Sequence, residues 1–161
     1  MEDCEMRRSD RAITDYKQIL DIIEKCECCR IGFYDGNEVY IVPLNFGYEF
    51  KEDKLTLYFH GAKEGRKIDL ITNVASVGFE MDTNYKLNEG KTACSYSARF
   101  DSVIGNGTIS IIESISEKKF ALDKLMLKAT HKADWNFTES MLNSVCIFKI
   151  EVTKLSCKSH I

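Results

Sequence analysis

The chain has 161 residues, 44% of them apolar, and a formal net charge of −3. That length and apolar content support one domain with a real core over residues 1–161. The acidic balance, with no basic stripe, argues against nucleic acid as the main partner. No apolar run approaches the roughly 20 residues of a membrane span, and the acidic start Met1-Glu2-Asp3-Cys4-Glu5 has no signal-peptide core. A cytoplasmic protein without a membrane partner is therefore expected.

In chain order, Thr14 and Asp15 can cap a helix running to about Lys25. Its apolar residues Tyr16, Ile19, Leu20, Ile22 and Ile23 share one face at helical spacing. Residues 28–34 read as a strand, Asp35-Gly36-Asn37 as turn chemistry, and 39–48 as the returning strand of a hairpin. A third strand is expected over 55–59, a short helix over 64–72 with Ile68, Leu70 and Ile71 apolar, and a fourth strand over 75–81. Residues 83–95 are polar and read as loop. Strands at 97–104 and 108–112 are interrupted by Gly105-Asn106-Gly107, Ser116 caps a helix to about Ala129, and 145–153 is a final strand. Helices at both ends of a strand-rich middle argue an α+β, mainly antiparallel domain built on a small barrel. Pro43 and the glycines near 106 would mark bulges in it.

Seven cysteines, an odd count without a secretion signal, fit free thiols in a reducing compartment. Cys26, Cys28 and Cys29 invite a metal reading, but no second Cys/His pair stands at zinc-ligand spacing, and His60, His131 and His160 are scattered. Buried free cysteines at a helix–strand junction are the plainer account, and no metal is expected. A catalytic role for Cys94 would need a base and an orienting third group, and none is identifiable. Tyr58, Phe59, Trp135 and Phe137 read as core or interface residues rather than a nucleic-acid platform.

Chemistry concentrates in Tyr58-Phe59-His60-Gly61-Ala62-Lys63-Glu64-Gly65-Arg66-Lys67, where a strand runs through a Gly-bearing turn into a helix. Free N–H groups at a helix start attract anions, and the cations Lys63, Arg66 and Lys67 would sharpen that into a phosphate site. The spacing is not a P-loop: three residues separate Gly61 from Gly65, and Ile68 follows Lys67. Gly105-Asn106-Gly107 lacks the third glycine of a dinucleotide fingerprint. The competing reading is a solvated helix face, with Glu64 and Asp69 as local charge partners. Pro43, the only proline, has no N–H for a sheet ladder, so it either blunts an edge strand or leaves backbone groups open to a ligand. The main chain at Leu44-Asn45 and the Asn45 amide could match the polar edge of a flat ring.

Val42-Pro43-Leu44-Asn45-Phe46-Gly47-Tyr48, the 58–67 segment and Ser102-Val103-Ile104-Gly105 together resemble the 5-nitroimidazole resistance (Nim-like) proteins. These belong to the pyridoxamine 5′-phosphate oxidase-like group of FMN-binding split barrels, and the resemblance runs from about Arg7 to Val152. It implies a split β-barrel with flanking helices and FMN as cofactor. The implied cofactor-binding residues are Pro43, Leu44, Asn45, Phe46, His60, Gly61, Lys63, Gly65, Arg66, Lys67 and Ser102. His60, whose counterpart faces the flavin site in those proteins, could bind phosphate, orient substrate or donate a proton; it is the one catalytic candidate. The sequence departs from the family at Phe100, where a tyrosine is common, and at Gly61, where a serine is frequent. A homodimer with flavin sites between its subunits is implied as well. The expected function is FMN-dependent reduction of a nitro-aromatic or related small-molecule acceptor, with NAD(P)H or another donor. The alternatives are a flavin- or haem-binding protein without turnover, and pyridoxamine phosphate oxidation, for which no second cationic cluster is found.

Overall fold

The structure is a computed structural model that describes residues 2–3 and 9–160. Among the described residues nine strands form one sheet, with helix α1 (Tyr16–Lys25) before most of them. β1 (Glu2–Asp3) and β2 (Ala12–Ile13) are short additions to the last strand. The rest are β3 (Cys29–Tyr34), β4 (Val39–Leu44), β5 (Gly47–Lys51), β6 (Lys54–Gly61), β7 (Ser76–Asn88), β8 (Ser97–Ile111) and β9 (Cys146–His160). Helix α2 (Arg66–Asn73) follows β6, and α3 (Ile115–Thr130) and α4 (Glu139–Ser144) lie between β8 and β9. All pairings except β1 with β9 are antiparallel. The fold is α+β and mainly antiparallel, as the sequence pattern predicts.

The strand order β4-β3-β7-β8-β9-β6-β5 puts β4 and β5 at opposite edges, yet only Asn45 and Phe46 separate them in sequence. Three chain steps reach about 11 Å at most. The sheet must therefore curl until its two edges nearly meet without pairing, which makes a barrel split along β4 and β5. Phe46, 2% exposed, is buried at the crossing. Inside the curl, Phe59 and Phe148 stack at 5.3 Å among Ile31, Phe33, Met81 and Val103, all fully buried. α1 contributes Ile19, Ile22 and Ile23 to that core and α2 contributes Leu70 and Ile71. The two helices sit at opposite ends: Lys25 accepts from Thr83 on the side where β4 finishes, and Arg66 meets Glu38 where β4 begins.

α1 stands where its periodicity puts it, and Asp15 caps it by accepting from the Lys17 N–H at 3.3 Å. Other expectations change. Residues 39–48 are two strands, because period-two alternation carries no mark of a change of partner. Pro43 causes no bulge; the β3–β4 register is unbroken and Pro43 simply lies on an edge strand. Residues 83–88 continue β7 and pair with β8 as far as Asn88 opposite Ser97. That ribbon projects beyond β3, so both its faces meet solvent and need no apolar side. Gly105–Gly107 do not interrupt β8. They mark a register shift against β9, and a Cβ at Gly105 would stand 2.4 Å from the Lys154 carbonyl oxygen. α2 begins at Arg66 and α3 follows Ser114 rather than Ser116. α4 was not predicted, and β9 runs on to His160, burying Leu155 and Cys157. No described helix is long and apolar enough to cross a membrane.

Candidate functional site at the barrel split

β6 ends at Gly61, an exposed turn follows, and α2 starts after Gly65, whose φ of 115° suits glycine alone. Lys67 folds back from α2 so that its Nζ lies 2.6 Å from where a Gly61 Cβ would stand and 5.8 Å from the Phe148 ring centroid. Any side chain at 61 would push that ammonium away. Across the ladder from Gly61 is Cys146. Burial pushes the Cys146 thiol up, against the pull of Lys67, Lys118 and Lys63. Lys67 reaches the end of β6 from α2 and Lys63 belongs to the turn before that helix, while Glu113, which adds to the rise of the thiol, and Lys118 flank the start of α3. None of the three lysines forms an ion pair among the described residues. Lys118 comes from the first turn of α3 and was not predicted, since nothing in spacing links it to a segment some fifty residues earlier.

Arg66 goes elsewhere. Its Nη2 donates to Glu38 Oε1, stands 3.8 Å from Asp35 Oδ2, and its guanidinium lies 4.6 Å over the Tyr40 ring. The charge partners of Arg66 are thus on the β3–β4 hairpin, not Glu64 or Asp69 of its own segment. Backbone N–H groups of Glu38 and Asn37 hold the Asp35 carboxyl below its usual range, with Arg66 adding to the effect. His60 and Gly61 are neighbours in a strand, so their side chains take opposite faces. Gly61 shares the inward face with Phe59 and Lys67, while exposed His60 points out beside Ile147.

The expected ring-binding residues lie along β4 and at its end. Pro43 is exposed on the outward face beside Arg30, while Leu44 packs inward. The Asn45 amide donates to the Glu27 carbonyl at 3.5 Å. Asn45 and Phe46 border a groove of about 560 Å³ also lined by Glu27, Leu125 and Lys128. Ser102 is on the outward face of β8, opposite Asp82 and Lys158. Arg30 donates to Glu80 at 2.9 Å and to Asp82 at 2.7 Å between these two positions. The residues therefore do not converge on a point: Gly61, Lys67 and Leu44 face inward, while Pro43, Ser102 and His60 face outward. From Glu38, beside the cationic end, to Asn45 is seven residues, about 23 Å at strand rise. Along that length β4 is an edge strand among the described strands, and lysine ammoniums with open backbone groups are donors suited to a phosphate-bearing flat ring. Cys26, Cys29, Cys146 and Cys157 are buried thiols, and the described residues contain no cluster of three or more His, Cys, Asp or Glu able to hold a metal.

The pyridoxamine 5′-phosphate oxidase family model matches residues 15–159. Among solved structures, a candidate 5-nitroimidazole antibiotic resistance protein from Bacteroides thetaiotaomicron is 32% identical with a TM-score of 0.78, over 92% of this chain and 86% of that one. The flavocytochrome Anf3 from Azotobacter vinelandii is 16% identical with a TM-score of 0.78, over 98% of this chain and 72% of that one. An FAD-binding protein from Mesorhizobium loti is 17% identical with a TM-score of 0.65, over 94% and 98%. The last two show likeness of fold. No curated protein matches this chain.

Proposed function

Since the chain belongs to the pyridoxamine 5′-phosphate oxidase family, we propose that it holds FMN along β4 and works as an FMN-dependent reductase of nitro-aromatic or related small acceptors. NAD(P)H or another donor would supply the electrons. The observation that carries the reading is Lys67 folded over Gly61 at the start of α2, without an ion pair among the described residues, together with an edge strand that Pro43 leaves open. Lys67, Lys63 and Lys118 would bind the phosphate, and the α2 amides behind Gly65 would add their dipole end. Main chain at Leu44 and Asn45 would orient the ring's polar edge. Bound FMN would supply the electron transfer itself.

The outward face of β4, β3, β7 and β8 supports the homodimer. Tyr34, Val39, Ile41 and Ile104 are 61%, 64%, 61% and 46% exposed there, a patch of the kind that marks an interface. A second copy on that face would cover the open side of the ring, giving two sites per dimer. The six described cysteines are free thiols, which suits a reducing cytoplasm. Equilibrium titration with FMN, riboflavin and FAD tests the cofactor: FMN should bind most tightly, and equal or tighter FAD binding contradicts it. A second reading, a flavin carrier without turnover, draws on the placement of His60, which faces away from Lys67 on the opposite side of β6. Reduction of a nitro-aromatic at the expense of NAD(P)H, slowed in His60→Ala, separates the two.

A further inference from the structure

Arg66 and Lys67 are adjacent cations at the start of a helix, yet they serve different parts of the molecule. Consecutive helical residues point about 100° apart. Lys67 turns to β6, and Arg66 turns to the tip of the β3–β4 hairpin. We infer that Arg66 is a positioning residue: it ties that hairpin to α2 and so fixes where β4 lies, leaving the cofactor phosphate to the lysines. The inference rests on the flavin reading above.

The hairpin tip is shaped to receive it. Asp35 Oδ1 accepts from the Asn37 N–H at 2.9 Å and the Glu38 N–H at 3.0 Å. Gly36 takes a φ of 96°, and its carbonyl accepts from the Tyr34 hydroxyl at 3.0 Å. This folds Asp35 and Glu38 onto one side, where both carboxylates and the Tyr40 face meet a single guanidinium. A planar, forked cation can hydrogen-bond and stack at once; an ammonium cannot do both as well. β4 is an edge strand with a neighbour on one side only. Inward packing of Tyr40, Val42 and Leu44 anchors it to the core, and Arg66 supplies the charged tie to the helix that carries Lys67. The two ends of β4 are thereby held in register.

The test uses Arg66→Ala, Glu38→Gln and the double variant Arg66→Ala with Glu38→Gln. Each full-length variant is titrated with FMN and with riboflavin, and amide hydrogen exchange over residues 34–44 is followed without flavin. A positioning role predicts that both single variants weaken both flavins by the same factor, about threefold to tenfold for an exposed ion pair with a cation–π contact. Hairpin exchange quickens, the thermal midpoint scarcely moves, and the double variant binds both flavins no more weakly than Arg66→Ala alone. Weakening of FMN alone in Arg66→Ala, with Glu38→Gln neutral, overturns the inference and makes Arg66 a phosphate ligand. Unchanged affinity for both flavins in the two single variants overturns it as well. If the wild-type protein binds neither flavin, the flavin reading itself has failed and the inference falls with it.

Discussion

The outer face of the sheet is two surfaces. Over β5, β6 and β9 it lies under α3, which buries Tyr58, Ile112 and Ile147 against Ala121. Phe120 of α3 packs on Tyr58 at 5.8 Å, Glu117 accepts from Lys149 at 2.7 Å, and Lys124 pairs with Glu49 at 3.6 Å. Over β4, β3, β7 and β8 no described element covers it. Yet Tyr34, Val39, Ile41 and Ile104 project there, around Gly32 and Gly78, which pair across β3 and β7. A sheet face meant for water alternates polar residues outward. The covered half found its partner within the chain. The bare half carries exposed apolar side chains that no described element covers, and it is the half that holds Pro43 and Ser102.

The largest effect should come from charging the bare half. Ile41→Arg should leave the folded chain intact and abolish pairing with a second copy, because an unpaired charge buried at an interface costs about 3–5 kcal/mol and symmetry doubles it. Sedimentation at micromolar concentration should show single chains, and FMN affinity should collapse with the shared site. Retained dimers would place the interface elsewhere.

The matching change on the covered half should act oppositely. Ile147→Ala removes a fully buried side chain under α3 and should cost about 2–5 kcal/mol of folding free energy. Denaturant titration should show that loss while the oligomeric state of the folded fraction stays the same. A change in assembly without a loss of stability would erase the distinction between the halves.

Next in size is Lys67→Ala. Removing a charge-assisted contact should weaken FMN by about 1.5–3 kcal/mol. Riboflavin, which has no phosphate, should bind as before. Equal losses for both flavins would mean that Lys67 shapes the barrel end rather than binding the anion.

The smallest effect concerns pH. Burial under α3 pushes the Tyr58 hydroxyl up to about 12, with Glu49, Glu117 and Glu151 adding to the rise. The folded chain then keeps a proton that the unfolded chain releases near pH 10. Stability from this group is complete below pH 10 and is lost as pH climbs from there through about 12. Tyr58→Phe should flatten that part of the stability curve, and an unchanged slope would mean the hydroxyl is solvated.

How much of this was legible in the sequence depends on range. α1 declared itself through periodicity and a capping Asp15 because both signals are local. The antiparallel character came from hairpin-length connections. The split barrel was implied by the family resemblance and not by the local pattern: 39–48 alternates without a break, and the order of strands shows that β4 and β5 are opposite edges. The ribbon of β7 and β8 read as loop because strands wet on both faces carry no alternation. At the site, the cationic turn led to the expectation that Lys63, Arg66, Lys67 and His60 share one pocket; Lys67 does lie over Gly61, but Arg66 and His60 point elsewhere. Lys118 and the Glu38 partner of Arg66 were not foreseen, since both contacts close across long stretches of chain. The opposed directions of His60 and Gly61 were available from strand alternation alone.

The central claim is that the bare half is completed by a second copy, with the cofactor between them. Light scattering on the FMN-loaded protein, with flavin counted by absorbance in the same peak, tests it most directly. The account predicts a mass of two chains carrying two flavins. A mass of one chain with FMN bound would contradict it.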